Sequence, residues 1–246
     1  MGTLMLLRHG ETTFNAGQVF TGLLDAGLTP AGESQVAVAA GLITDEGLVP
    51  DVLWQSTMLR ARRTTELLLG HLGLDGVPIK ESWRLVERAY GCLTGVSKSD
   101  ARRLHGEEAF FAWRRTMRGR PLHADPATVA TWTDPGPVPE RGPLDAGIGE
   151  SLADVVARVE PVWHEQIRPA VQAAESTVFL VAHGNTLRAL AAVMHHLPDR
   201  DVEHLNIPAG HPFVVSVTPE QVGEPRYLDP HTAHHAAAAV AAEGGT

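Results

Sequence analysis

The chain has one cysteine, Cys92, so no intramolecular disulfide can form, and a reducing, cytoplasmic setting is the expectation. It has no run of about twenty apolar residues to span a bilayer. Its first apolar run, Leu4–Leu7, has no basic segment before it and is too short for a secretory signal core. Positive charge is also scarce. The formal balance of -9 argues against nucleic-acid or anionic-membrane partners, which are held by a positive excess. A small anion is not excluded, because a few clustered arginines make a local field whatever the total. What is present is an ordinary apolar fraction, 43% of 246 residues, enough to bury a sizeable core.

Short apolar runs alternate with helical patterns. Leu4–Leu7, Asp51–Gln55, Val77–Ile79, Val178–Ala182 and Pro212–Val217 read as strands. Thr29-Pro30 reads as an N-cap with proline at the first helical position, opening a helix whose Val36, Ala40 and Ile43 share a face. Met58–Leu69 and Thr186–His195 read as further helices, and Glu150–Ala174 as a helical stretch that Pro161 and Pro169 should kink or break. The alternation predicts one α/β domain over residues 1–246, a three-layer α/β/α sandwich around a mostly parallel central sheet. Gly119–Gly149 holds six prolines and five glycines without periodicity, which predicts a lid-like excursion. The alanine-rich tail, about residues 230–246, is expected to be a marginal helix or a mobile segment, and a second candidate lid.

Two apolar runs end the same way. "LMLLRHGETTFN" and "VFLVAHGNTLRAL" both pass from a strand into His-Gly and then small polar residues. In open α/β sheets ligands collect at strand C-terminal ends, which puts Arg8, His9 and His183 at one place. A neutral imidazole attacks phosphorus or a carbonyl near physiological pH, and the planar fork of arginine matches phosphate oxygens. Gly10 would let the backbone approach a ligand. Taken singly, most other candidates read blandly. Glu87-Arg88 has the look of a surface ion pair, Arg114-Arg115 of an exposed helix face, and Lys98 of a helix start. Arg60, Arg62 and Arg63 lie at helical spacing, so one or two of them should be solvated. His195-His196 and His234-His235 diverge on a helix and have no ligand-spaced partners, so no metal is expected.

The ordered set of motifs resembles the histidine phosphatase superfamily, and more narrowly its cofactor-dependent phosphoglycerate mutases. It includes "LLRHGETTFN" with "FTG", "STMLRARRT", "ERAYG" with "LTGVSK", "WRR", "ESL", "AHGNTLRAL", "NIPAG" and "YLD". The resemblance implies that His9 is the phosphorylated nucleophile. Arg8, Arg60, Asn15 and His183 would surround the transferring phosphoryl group, and Glu87 would be the acid/base. Thr21, Gly22, Arg88, Tyr90, Lys98, Arg114, Arg115, Gly184 and Asn185 would hold the substrate's carboxylate and second phosphate. It further implies interconversion of 3- and 2-phosphoglycerate in glycolysis and gluconeogenesis, priming by 2,3-bisphosphoglycerate, no metal, and a homo-oligomer, dimer or tetramer. The alternative within the superfamily is a phosphatase, or a mutase for another small phosphorylated or phosphonylated acid.

The chain departs from the family pattern at Leu23-Leu24 (a bulky pair such as Trp-Tyr), Ala89 (histidine), Gly149 and Ala209 (threonine at each). Each departure removes a ring or a hydrogen-bonding group, which predicts a pocket slightly larger or less polar than usual.

Overall fold

A computed structural model of the chain describes residues 1–132, 142–145, 147–173 and 176–242. In chain order the elements are β1 (Gly2–Arg8), α1 (Thr13–Ala16), α2 (Pro30–Asp45), β2 (Val52–Ser56), α3 (Leu59–Leu72), β3 (Ile79–Ser82), α4 (Lys98–Arg115) and α5 (Pro126–Val129). There follow α6 (Leu152–Val162), α7 (Arg168–Gln172), β4 (Thr177–Ala182), α8 (Gly184–His195), α9 (Asp199–His204), β5 (Phe213–Val217), β6 (Arg226–Tyr227) and α10 (Pro230–Ala242). The sheet runs β3-β2-β4-β1-β5-β6. β1 to β4 are parallel, while β5 and β6 pair antiparallel at one side. The expected α/β sandwich with a mostly parallel sheet is what forms.

Strand alternation divides the core into two layers. Leu4, Leu6, Val178 and Leu180 face a cluster with Val155, Val159, Leu187 and Leu190 of α6 and α8. Met5, Leu7, Phe179 and Val181 face Val36, Ile43, Ala61 and Leu68 of α2 and α3. Residues two apart share a face, so an unbroken apolar run serves both layers. Each such side chain contributes about 1.5–3 kcal/mol by leaving water.

Three elements differ from expectation. The third strand starts at Ile79, because Pro78 has no N–H for the ladder and serves as an acceptor, taking Leu53 N–H at 2.9 Å. Pro161 does not break its helix: it sits in the last turns of α6, a single π turn over Trp163–Ile167 follows, and Pro169 falls in the first turn of α7. The excursion at 119–149 is not structureless where it is described. It carries α5, and its ends close on one another through Ala124 N–H to Gly147 O at 2.9 Å. Residues 133–141 and 146 of that expected lid lie outside the described residues, as do 243–246 of the tail; residues 230–242 are helical.

Candidate active site

The register of the sheet builds the site. Arg8 on β1 is paired with Ala182 on β4, so the next residues, His9 and His183, leave the sheet side by side. His9 N–H donates to Ala182 O at 3.0 Å, and the two imidazoles meet edge to face with centroids 5.0 Å apart. The sharp turn after His9 packs on the start of α2. A Cβ on Gly10 would overlap the Gly32 carbonyl, and one on Gly32 would overlap the Glu11 carbonyl. Gly10 thus serves a close approach of helix to loop, a different reason from the ligand approach the sequence suggested.

Hydrogen bonds fix both tautomers. His9 Nδ1 lies 2.7 Å from Gly10 O, an acceptor, so Nδ1 carries the proton and Nε2 keeps its lone pair. His183 Nδ1 accepts from Arg60 Nε at 3.2 Å, so its proton sits on Nε2 and faces Ser56 Oγ at 2.8 Å. Burial, then Arg60 and Arg8, push His9 well below the ordinary imidazole value of 6.5. Burial and then Arg60 do the same to His183. Both rings are therefore neutral near pH 7. His183 thus contributes hydrogen bonding here, and the positive charge comes from the arginines.

Arg60 is the buried one of three neighbouring arginines; Arg62 and Arg63 lie out on α3, paired with Glu81, Glu33 and Glu66. Its Nη1 donates to Leu24 O at 2.9 Å and Asp25 Oδ1 at 3.3 Å, and its Nη2 to Gly22 O at 3.1 Å. Asp25 also caps α3 from a distance, taking Leu59 N–H at 2.5 Å, because Met58 at the N-cap has no side-chain acceptor. No local pattern marks Asp25 for this work.

A cavity of about 310 Å³ opens beside His9. Eleven of the residues the resemblance implied line it: Arg8, His9, Asn15, Thr21, Gly22, Arg60, Glu87, Tyr90, Lys98, Arg114 and Asn185. Asn185 Nδ2 donates to Tyr90 Oη at 2.9 Å, which leaves the phenol proton to point elsewhere. Arg114 lies over the rings of Phe20 and Phe110, at 5.5 and 5.6 Å. Glu87 Oε1 accepts Arg88 N–H at 2.7 Å.

The other four stand behind this wall. His183 backs His9, and Gly184 opens α8. Arg88 turns away from the cavity and donates to the carbonyls of Glu150 (2.7 Å), Trp113 (2.5 Å) and Gly119 (2.8 Å). Arg115 donates to the Glu203 carbonyl. These two arginines bind backbone rather than line the cavity, so their place is in fixing the wall. Arg188, outside the set that the resemblance implied, is fully buried and orients Asn185 by donating to its Oδ1 at 2.9 Å. Burial, then Arg115 and Arg88, pull Arg188 down to about 9.

Unanticipated lining comes from Glu11, Gln35 and His211, while Ala236, Ala239 and Val240 bring one face of α10, the tail expected as a second candidate lid, to the cavity. Gln35 lies far from every strand-end motif, so nothing local announced it. Of the departures, Ala209 lines the cavity. Leu23 and Ala89 instead share a buried apolar cluster with Met58 and Val86. At Gly149 a Cβ would overlap the Pro121 carbonyl, so glycine admits the start of the excursion. Most of the departures therefore change packing around the pocket and leave its lining alone.

The chain is similar to known proteins along nearly its whole length. The family model for the histidine phosphatase superfamily (branch 1) matches residues 4–130 and 122–227. The chain belongs to the histidine phosphatase superfamily. A 2,3-bisphosphoglycerate-dependent phosphoglycerate mutase of Thermobifida fusca is 40% identical over 99% of this chain and 100% of its own. A protein of the same name from Nitratidesulfovibrio vulgaris is 42% identical, covering 99% of this chain and 98% of its own. These full-length matches put the chain in the phosphoglycerate mutase family of the superfamily. Among solved structures, a mycobacterial glucosyl-3-phosphoglycerate phosphatase with VO3 superposes with TM-score 0.68 at 26% identity, covering 92% of this chain and 97% of its own.

Proposed function

We propose that this chain is a 2,3-bisphosphoglycerate-dependent phosphoglycerate mutase, interconverting 3- and 2-phosphoglycerate in glycolysis and gluconeogenesis. Full-length relatives at about 40% identity carry that name. The observation that carries the chemistry is the neutral His9, its Nδ1–H on the Gly10 carbonyl, in a cavity that Arg8, Arg60, Lys98 and Arg114 also line.

In this reading His9 Nε2 attacks a phosphorus atom of the priming 2,3-bisphosphoglycerate, a substrate that is consumed and regenerated. The P–O bond breaks as the N–P bond forms. Glu87 gives a proton to the leaving oxygen and later takes one from the accepting hydroxyl, work typically worth about 10²–10⁴-fold. Arg8, Arg60, Asn15 and the His183 ring meet the charge spread over the transferring phosphoryl group. Thr21, Gly22, Tyr90, Lys98, Arg114 and Asn185 hold the carboxylate and the phosphate that is not moving, with Arg88, Arg115 and Gly184 behind them. A four-cation wall suits an acid carrying two phosphates, and it favours the mutase over simple hydrolysis.

The second reading is hydrolysis, favoured by the fold neighbour that is named a phosphatase. A coupled enolase assay with and without 2,3-bisphosphoglycerate, beside phosphate release on the same samples, separates the two. Bisphosphoglycerate-dependent turnover with little phosphate release is expected; phosphate release that outpaces isomerisation would reverse the assignment. Replacing His9 with alanine should abolish labelling by bisphosphoglycerate. We also infer a cytoplasmic homo-oligomer, dimer or tetramer, which sedimentation would test. Among the described residues no helix is long and apolar enough to cross a membrane, and no group of three or more His, Cys, Asp or Glu could hold a metal ion.

A further inference from the structure

Glu87 follows a single 3₁₀ turn, Trp83–Leu85, and belongs to no helix or strand. Its backbone is nevertheless held on both sides by one buried ion pair. Arg158 on α6 donates through Nη1 to Arg84 O at 2.6 Å and through Nη2 to the carbonyl of Glu87 itself at 3.2 Å. The same guanidinium meets Glu150 at two points, Nε to Oε1 at 2.9 Å and Nη2 to Oε2 at 3.2 Å. Glu150 then takes Ala89 N–H on Oε2 at 2.8 Å, while its own N–H donates to Ala89 O at 2.9 Å. The carbonyls of residues 84 and 87 and the N–H of residue 89 are thus tied to two side chains 7% and 3% exposed, and the carbonyl of residue 89 to the backbone of Glu150. Neither side chain lines the cavity that holds His9. Both line a second cavity, about 410 Å³, together with Trp83, Arg84 and Asp154.

We infer that Arg158 and Glu150 are positioning residues for the Glu87 carboxylate. The inference rests on Glu87 being the acid/base proposed above. A planar fork with five donors can span a carboxylate and two carbonyls at once, whereas an ammonium on a flexible stem cannot. Misplacing an acid/base by about 1 Å costs up to about a hundredfold in rate. The loss should fall on kcat, because the phosphate-binding wall is built from other residues.

Mutase kinetics of Arg158→Lys, Glu87→Gln and the double variant test this, with circular dichroism to confirm folding. R158K should lower kcat about 10–100-fold with KM within about twofold of wild type. The double variant should be no slower than E87Q alone, because a misplaced glutamine has nothing further to lose. Losses that multiply would overturn the positioning role, since damage unrelated to Glu87 adds to its removal. Wild-type kcat in R158K beside an impaired E87Q would overturn it too. Wild-type kcat in E87Q would instead overturn the assignment of Glu87, and the inference with it. Arg158→Ala opens a path from the second cavity, so guanidinium at sub-denaturing concentration should restore kcat where ammonium does not; absence of rescue in the folded variant counts against the inference. Should the alanine variant fail to fold, R158K and the double variant decide the matter.

Discussion

The guanidinium of Arg60 is 1% exposed, and Asp25, 4% exposed, is the carboxylate that meets it. Burial lowers the pKa of Arg60, and Asp25 opposes that shift most strongly. Removing one partner of such a pair strands a charge, which costs about 3–5 kcal/mol. Asp25→Ala also takes the acceptor from Leu59 N–H at the start of α3. Urea denaturation of that variant should show a loss in this range, and Asp25→Asn a smaller one; a loss under about 1 kcal/mol would mean that the pair is not needed to hold Arg60. The histidines make a second claim at this scale. Burial and the neighbouring arginines lower both His9 and His183, so neither should titrate near 6.5. Ring-proton shifts followed by NMR should stay flat as pH falls through 6.5 and move only at lower pH. A midpoint at the ordinary value for either ring would contradict the neutral pair.

At the scale of elements, strands were the most legible part of the chain and the helices between residues 98 and 129 the least. An apolar run such as Val178–Ala182 is buried on both faces, so composition alone marks it. α4 has no such mark: it is charged along much of its length, and Gly106 interrupts it at φ 80°. Its Lys98 and Arg114 reach the cavity because of where the helix packs, which periodicity does not encode. α10 was legible as a marginal helix and a candidate lid, but which of its residues meet the cavity was not, since an alanine face carries little directional signal. Ala236, Ala239 and Val240 line the cavity from that helix, so cutting the chain after Asp229 should admit water to the phosphorylated enzyme. Phosphate release relative to isomerisation should rise about tenfold; an unchanged ratio would remove α10 from any role in closure. Gly149 gives an opposite case. Threonine, usual in the family, would force its Cβ into the Pro121 carbonyl. Gly149→Thr should therefore cost about 1–3 kcal/mol in a urea titration, although it restores the common motif. A gain in stability would show that the Pro121–Leu122 backbone can yield.

Over the whole molecule, the site was readable because it is assembled from strand ends, where short motifs and sheet topology coincide. The parts that were not readable, Asp25, Arg158 and Arg188, act through backbone carbonyls or across long sequence separations. The same burial that sets the chemistry should show in global stability. His9 and His183 are driven below 6.5 chiefly by desolvation, and half-exposed His195 and His211 are lowered in the same direction. In the unfolded chain all four titrate near the ordinary value. Below that pH the unfolded state binds protons that the folded state refuses, so unfolding becomes easier as pH falls. The stabilisation is complete above about pH 6.5 and is lost progressively toward the lower folded-state values. Each imidazole that stays neutral contributes a slope of up to about 1.4 kcal/mol per pH unit in that window, and the two fully buried ones should dominate. Urea midpoints measured from about pH 7.5 down to about pH 5.5 should therefore fall steadily below about 6.5. Carboxylates held low by arginine or hydroxyl partners, such as Asp154, lose their contribution only at more acid pH, so they do not mask the effect. His183→Gln removes one titrating ring while leaving an amide to face Ser56, and its slope should be shallower than wild type by about one histidine's share. Equal slopes in the two proteins would mean that His183 takes up its proton in the folded state as readily as in the unfolded one, and would overturn the lowering ascribed to its burial and to Arg60.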